Sequence, residues 1–158
     1  MDIHHQVAII APATRIYEEI ALPENIGNWW DEQAVVETPE GTVLEHNPGE
    51  DHGVVQLRVV ESIANMRVEW ECISKHPTTS PASAWTGTRF KFELTELETP
   101  ASKILRCFAD LDGEQISTLD FYHSHYPEGS EFLGFNNFAW GQVLQGLKNQ
   151  CESHPKDS

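Results

Sequence analysis

The chain has 158 residues, enough for one domain with a substantial core and too few to suggest two. Hydrophobic residues make up 39% and charged residues 22%, the ordinary balance of a globular protein in water. Only ten Lys and Arg oppose twenty-five Asp and Glu, and the formal charge of −15 with no basic run disfavours nucleic-acid and anionic-membrane binding.

The start, Met-Asp-Ile-His-His, lacks the basic and apolar regions of a signal peptide, and no apolar run approaches the roughly 18 residues of a membrane span. Cys72, Cys107 and Cys151 are odd in number and widely spaced within apolar patterns, as reduced buried thiols are. A cytoplasmic protein without membrane insertion is expected. In chain order, Ile3 to Ile10 reads as an opening strand, Thr14 to Ala21 as a short helix ended by Pro23, and Glu24 to Trp30 as a second short helix. Gln33 to Val36 and Thr42 to His46 form a hairpin across the Pro39–Gly41 turn. Asn47 to Gly53 is a polar turn, and Val54 to Ser62 is a strand. After a tight turn at Ala64-Asn65, Met66 to Ser74 alternates Met66, Val68, Trp70 and Cys72 against charged neighbours.

Lys75 to Ala84 is a loop rich in Pro, Ser and Thr. Arg89 to Leu97 alternates Phe90, Phe92 and Leu94 against Arg89, Lys91 and Glu93. Lys103 to Leu111 reads as an additional strand closed by an Asp112-Gly113 turn, and Leu119 to Tyr126 as the last strand. A long helix from about Ser130, its expected N-cap, to Cys151 places Phe132, Phe135, Ala139, Trp140, Val143, Leu144, Leu147 and Cys151 on one arc. Asn136 falls near the centre of that arc and needs a partner: the sheet, a water or a ligand. Residues 1–152 form a single domain on this reading, and 153–158 a polar tail.

These segments carry a resemblance. Pro23-Glu24 followed by Trp29-Trp30, Val68-Glu69-Trp70, Trp85-x-Gly87-Thr88-Arg89-Phe90, Leu119-x-Phe121-x-His123-Ser124 and Phe135-Asn136-Asn137-x-x-Trp140-Gly141 occur in the order seen in the START-like, or SRPBCC, superfamily. Together they resemble the family named for the activator of the heat-shock-protein-90 ATPase, in its single-domain bacterial form. The resemblance implies an α+β helix-grip fold, an antiparallel sheet wrapped around a long C-terminal helix, with two short helices between the first two strands. Thr99 to Gln115 departs from the pattern as an insertion. Tyr126 and His125 replace the Trp and Gly that relatives often carry.

A sheet wrapped around a helix encloses either an aromatic core or a ligand cavity. The expected lining is Trp29, Trp30, Val68, Trp70, Phe90, Phe92, Phe121, Phe135 and Trp140, with His123, His125 and Asn136 as polar groups. His123 and His125, two apart on one strand, would share a face, yet nothing in the spacing supplies a third metal ligand. His4 and His5 point to opposite faces, and His46, His52, His76 and His154 lie scattered in turns and tail without an assigned role. Asp110, Asp112 and Glu114 lack the spacing of a calcium loop. No phosphate cradle, nucleophile elbow or paired-carboxylate motif appears.

The reading that follows is non-catalytic binding of a hydrophobic small molecule, lipid-like or aromatic, with no metal or cofactor. The alternatives are a chaperone-stimulating or other protein-interaction module, and a cyclase- or aromatase-type enzyme using His123 or His125. The oligomeric state is left open by the sequence.

Overall fold

Alternation along the strands resolves into a single antiparallel sheet. In the computed structural model, which describes residues 2–49, 51–97 and 115–153, the strands are β1 (Ile3–Ile9), β2 (Ala34–Thr38), β3 (Gly41–His46), β4 (Val55–Ile63), β5 (Arg67–Cys72), β6 (Arg89–Leu97) and β7 (Ile116–Ser124). Their order is β1-β7-β6-β5-β4-β3-β2. From β2 to β7 each described strand pairs with its successor, while β1 crosses the chain to pair with β7 from Ile3↔His123 to Ile9↔Ser117.

Three α-helices, α1 (Ala13–Ala21), α2 (Pro23–Ile26) and α3 (Leu133–Glu152), and a 3-10 turn at Pro81–Ala84 complete the described architecture. The fold is the expected α+β helix grip, with the two short helices between β1 and β2. No described helix is long and apolar enough to cross a membrane. The expected strand Lys103–Leu111 and its Asp112-Gly113 turn lie outside the described residues, as does His154.

Register places the aromatic side chains. Val68, Phe92 and Phe121 form one row across β5, β6 and β7, and Trp70, Phe90 and His123 form the next. Because side chains on paired residues share a face, both rows point to the side that α3 covers. From α3 the sheet receives Asn136, Trp140, Leu144, Leu147 and Cys151, one stripe at spacings of three and four. That stripe is narrower than the expected arc: Phe135 is 57% exposed.

Three boundaries differ from expectation for local reasons. α2 ends at Ile26, and the chain continues in turns in which the Trp29 and Trp30 amides both donate to the Ile26 carbonyl. α3 begins at Leu133, not Ser130, because Ser130 is spent on a preceding turn: its Oγ accepts from the Phe132 amide at 3.2 Å. β7 stops at Ser124, since His125 adopts φ 65°, a left-handed conformation that no strand accommodates.

Pro12, at the N-cap of α1, has no side-chain acceptor to offer. The Ala13 amide instead donates to the Glu96 carboxylate of β6 at 2.9 Å, which also sets a negative charge at the helix N-terminus. Glu96→Ala is expected to cost about 1 kcal/mol in urea unfolding. An unchanged midpoint would mean that water caps the helix equally well. At the opposite end, Glu152 Oε2 accepts from the Ile10 amide at 2.9 Å and Lys148 Nζ donates to the Ala8 carbonyl at 2.9 Å, tying α3 to β1.

Candidate functional site

The residues singled out from sequence fall into three places. Val68, Trp70, Phe90, Phe92, Phe121 and Trp140 are at most 2% exposed, with Trp29 at 6%. They pack ring against ring: Phe121 lies 4.5 Å from Trp140, Phe92 lies 5.0 Å from both Trp70 and Phe121, and Trp29 meets Phe92 at 6.1 Å. Tilted and edge-to-face geometries dominate, as expected for aromatic pairs in a core. Here the side chains are the packing that holds the sheet to α3.

His123 sits at the edge of this core, fully buried and stacked on Phe90 at 4.2 Å. The Thr88 hydroxyl donates its one proton to the Trp85 carbonyl at 2.5 Å. Its oxygen must therefore accept from His123 Nε2–H at 2.8 Å, which leaves His123 Nδ1 without a proton. Nδ1 is buried and has no partner among the described residues. Burial pushes the pKa of His123 down to about 3. A ring so reluctant to hold a second proton is a poor general base near neutral pH. His125, expected on the same face, is exposed and lies outside the strand, where its Nδ1 is 3.2 Å from Ser124 Oγ. The strand ends between the two histidines, so they do not form a pair.

The third place is an open cleft of about 210 Å³ at one end of α3. Trp30 and Asp31 reach it from the turn after α2, and His46 from the end of β3. Pro48 and His52 come from the β3–β4 connection, and Ser80, Pro81, Ala82 and Trp85 from the loop before β6. Phe135, Asn136 and Ala139 line it from α3. Of the expected lining, only Trp30, Phe135 and Asn136 are here. Phe135, exposed on the helix, stands at the cleft.

Asn136 finds its partner within the protein. It is 2% exposed, and its Nδ2 donates to the hydroxyl of Tyr126 and lies 3.5 Å from the Pro81 carbonyl. The Tyr126 hydroxyl is therefore the group that satisfies the amide in the apolar stripe. Trp85 Nε1 is buried in the cleft wall with no partner among the described residues.

Sequence reasoning left His46, His52 and His76 without roles, yet the β3–β4 pairing brings them together. His46 is 7% exposed, its Nδ1 is 3.0 Å from Gln33 Oε1, and its Nε2 is 3.6 Å from Asp31 Oδ2. Desolvation lowers its pKa, Asp31 opposes that, and His76 adds to it. His76 Nδ1 donates to the His52 carbonyl at 2.6 Å while its Nε2 accepts from the Ser74 hydroxyl at 2.8 Å. His52 Nδ1 lies 2.6 Å from Ser80 Oγ. The available signal was parity: Leu44 and His46 share a strand face, so His46 had to follow Leu44 toward the interior.

The Ser80–His52 pair does not make a nucleophile. Ser80 is 1% exposed, its Oγ also accepts from the Ala82 amide at 3.1 Å as the cap of the Pro81–Ala84 turn, and no carboxylate bonds to His52 among the described residues. A second hollow, about 270 Å³, lies between Val36, Val43, Arg58 and Ile73 on the opposite sheet face. Two of its polar pairs are already engaged, Gln56 with Glu45 at 2.7 Å and Arg58 with Glu71 at 2.5 Å.

The sequence matches no family profile and no curated relative. Solved structures do match. The Aha1 dimer from Colwellia psychrerythraea is 22% identical with a TM-score of 0.71, covering 99% of both chains. Protein MLL2253 from Mesorhizobium loti is 15% identical with a TM-score of 0.67 over 99% of both chains. CalU16 from Micromonospora echinospora is 15% identical with a TM-score of 0.63, covering 99% of this chain and 77% of its own. At these identities the likeness establishes the helix-grip fold and nothing finer.

Proposed function

We propose that the chain is a non-catalytic small-molecule-binding module whose ligand enters the cleft between Trp30, Trp85 and α3. One observation carries this reading: the aromatic core is closed, whereas the cleft is open, walled by indole and phenyl rings, and edged by a few polar groups, the usual composition of a ligand site. The rings supply contact area to an aromatic or lipid-like body. Asn136 and Tyr126 hold the cleft wall by bonding to each other. His123 belongs to the core in this account and orients no ligand. A cytoplasmic setting accords with Cys72 and Cys151, both buried thiols whose pKa values burial raises.

Ala139 lines the cleft from α3, so a larger side chain there takes up cleft volume. Nile red fluorescence titration of the wild type is expected to saturate, and Ala139→Trp to weaken that binding at least about tenfold with little change in urea midpoint. Equal binding by both proteins would remove the cleft as the site.

A protein-interaction role, placing the chain with the heat-shock-protein-90 activator family, is the second reading. It is supported by the edge strand β2, where Val35 is 48% and Val36 is 39% exposed. Stimulation of a chaperone ATPase by the purified chain is its direct assay.

A further inference from the structure

We propose that the ligand of the cleft is an organic ammonium cation, its head seated at Asp31 and His46 and its body against Trp30 and Trp85. This rests on the reading of the cleft as a small-molecule site and adds the charge class of its occupant.

Proton positions in the cleft follow from one fixed amide. Gln33 Nε2 donates to the Asp31 carbonyl at 2.8 Å, which turns Gln33 Oε1 toward His46 Nδ1. An amide oxygen only accepts, so His46 Nδ1 carries the proton. Burial disfavours a second proton on the ring, and Nε2 is then a bare lone pair. Across a 3.6 Å gap it faces Asp31 Oδ2, another acceptor. Two acceptors face one another at the cleft with no hydrogen between them, an arrangement that a donor completes.

The surroundings select the sign of that donor. Among the described residues no Lys or Arg lines the cleft, and Asp31 has no ion-pair partner other than the His46 ring. With a net charge of −15, a carboxylate or phosphate head would meet repulsion from the whole chain as well as from Asp31. The Asp31 side chain is 48% exposed and the His46 side chain 3%, so the carboxylate stands at the mouth and the imidazole at the floor. Trp30 and Trp85 line the same space with ring centroids 6.4 Å apart, and the Trp30 ring meets His46 edge-on at 4.7 Å. Tryptophan is the best aromatic partner for a cation, which completes a site of one carboxylate, one imidazole acceptor and two indoles.

The test compares three probes of similar shape on the intact chain by calorimetry at neutral pH: phenethylamine, neutral propylbenzene and anionic phenylpropionate. Phenethylamine is expected to bind at least about tenfold more tightly than propylbenzene, with phenylpropionate weakest. Asp31→Asn is expected to erase that preference while leaving propylbenzene within about twofold. Equal affinities, or a preference for the acid, would overturn the cation and leave the cleft reading standing. If none of the probes binds while Nile red still occupies the wild-type cleft and not Ala139→Trp, the cation falls alone. If Nile red fails too, both fall.

Discussion

Replacing Trp140 with alanine is expected to destabilise the protein by about 3–5 kcal/mol in urea unfolding, the largest effect of any single truncation proposed for this chain. Trp140 is 2% exposed and stands where α3 meets four other rings: Phe121 at 4.5 Å, Trp30 at 5.1 Å, Phe90 at 5.6 Å and Trp85 at 6.2 Å. Removing the indole leaves a void that β6 and β7 cannot close, because their register is held by strand pairing on both sides. Phe138, only two residues earlier on the same helix, is 62% exposed, and Phe138→Ala is expected to stay within about 0.5 kcal/mol. Equal losses from the two substitutions would show that α3 is seated differently.

His123→Phe is expected to make the protein markedly less sensitive to acid. Burial lowers the folded-state pKa of His123 to about 3 from its ordinary 6.5, so the folded state favours the neutral ring. The unfolded chain binds a proton near pH 6.5 that the folded chain refuses, and stability falls as pH drops from that value toward 3. At pH 5 the deficit from this one ring is roughly 2 kcal/mol. Phenylalanine preserves the stack on Phe90, removes the unpartnered Nδ1, and leaves the Thr88 hydroxyl bonded to the Trp85 carbonyl. Urea unfolding at pH 7 and pH 5 is the measurement. The gap between variant and wild type should widen in the variant's favour by about 2 kcal/mol at the lower pH. Parallel curves would place His123 in contact with water.

The two substitutions also separate the roles of the aromatic residues. Reading alternation alone, Trp70, Phe92, Phe121 and Trp140 were equal members of a ligand lining with Trp30 and Phe135. In the structure the first four are a closed core, while Trp30 and Phe135 border an opening. Hydrophobic periodicity reports which side chains turn inward. It cannot report whether the space they enter is filled, since that depends on how far α3 lies from the sheet and on what side chains it brings.

Much was nevertheless written in the sequence. The described strands and the long helix stand within a few residues of their expected places, because a period of two and spacings of three and four are local properties of the chain. The burial of Asn136 was legible in the same way, although its partner was not: Tyr126 reaches it only because His125 takes a left-handed turn and ends β7.

Histidines at 46, 52 and 76 have no common spacing, and nothing local relates them to Asp31 or Trp85. They meet because β3 pairs with β4 and the loop before β6 folds back upon that pair, so Gln33 orients His46, and His52 reaches Ser80. Periodicity along the chain determined the elements and their inward faces. Strand register and the seating of α3, which depend on contacts between residues far apart in sequence, decided which faces close into a core and which leave a cleft.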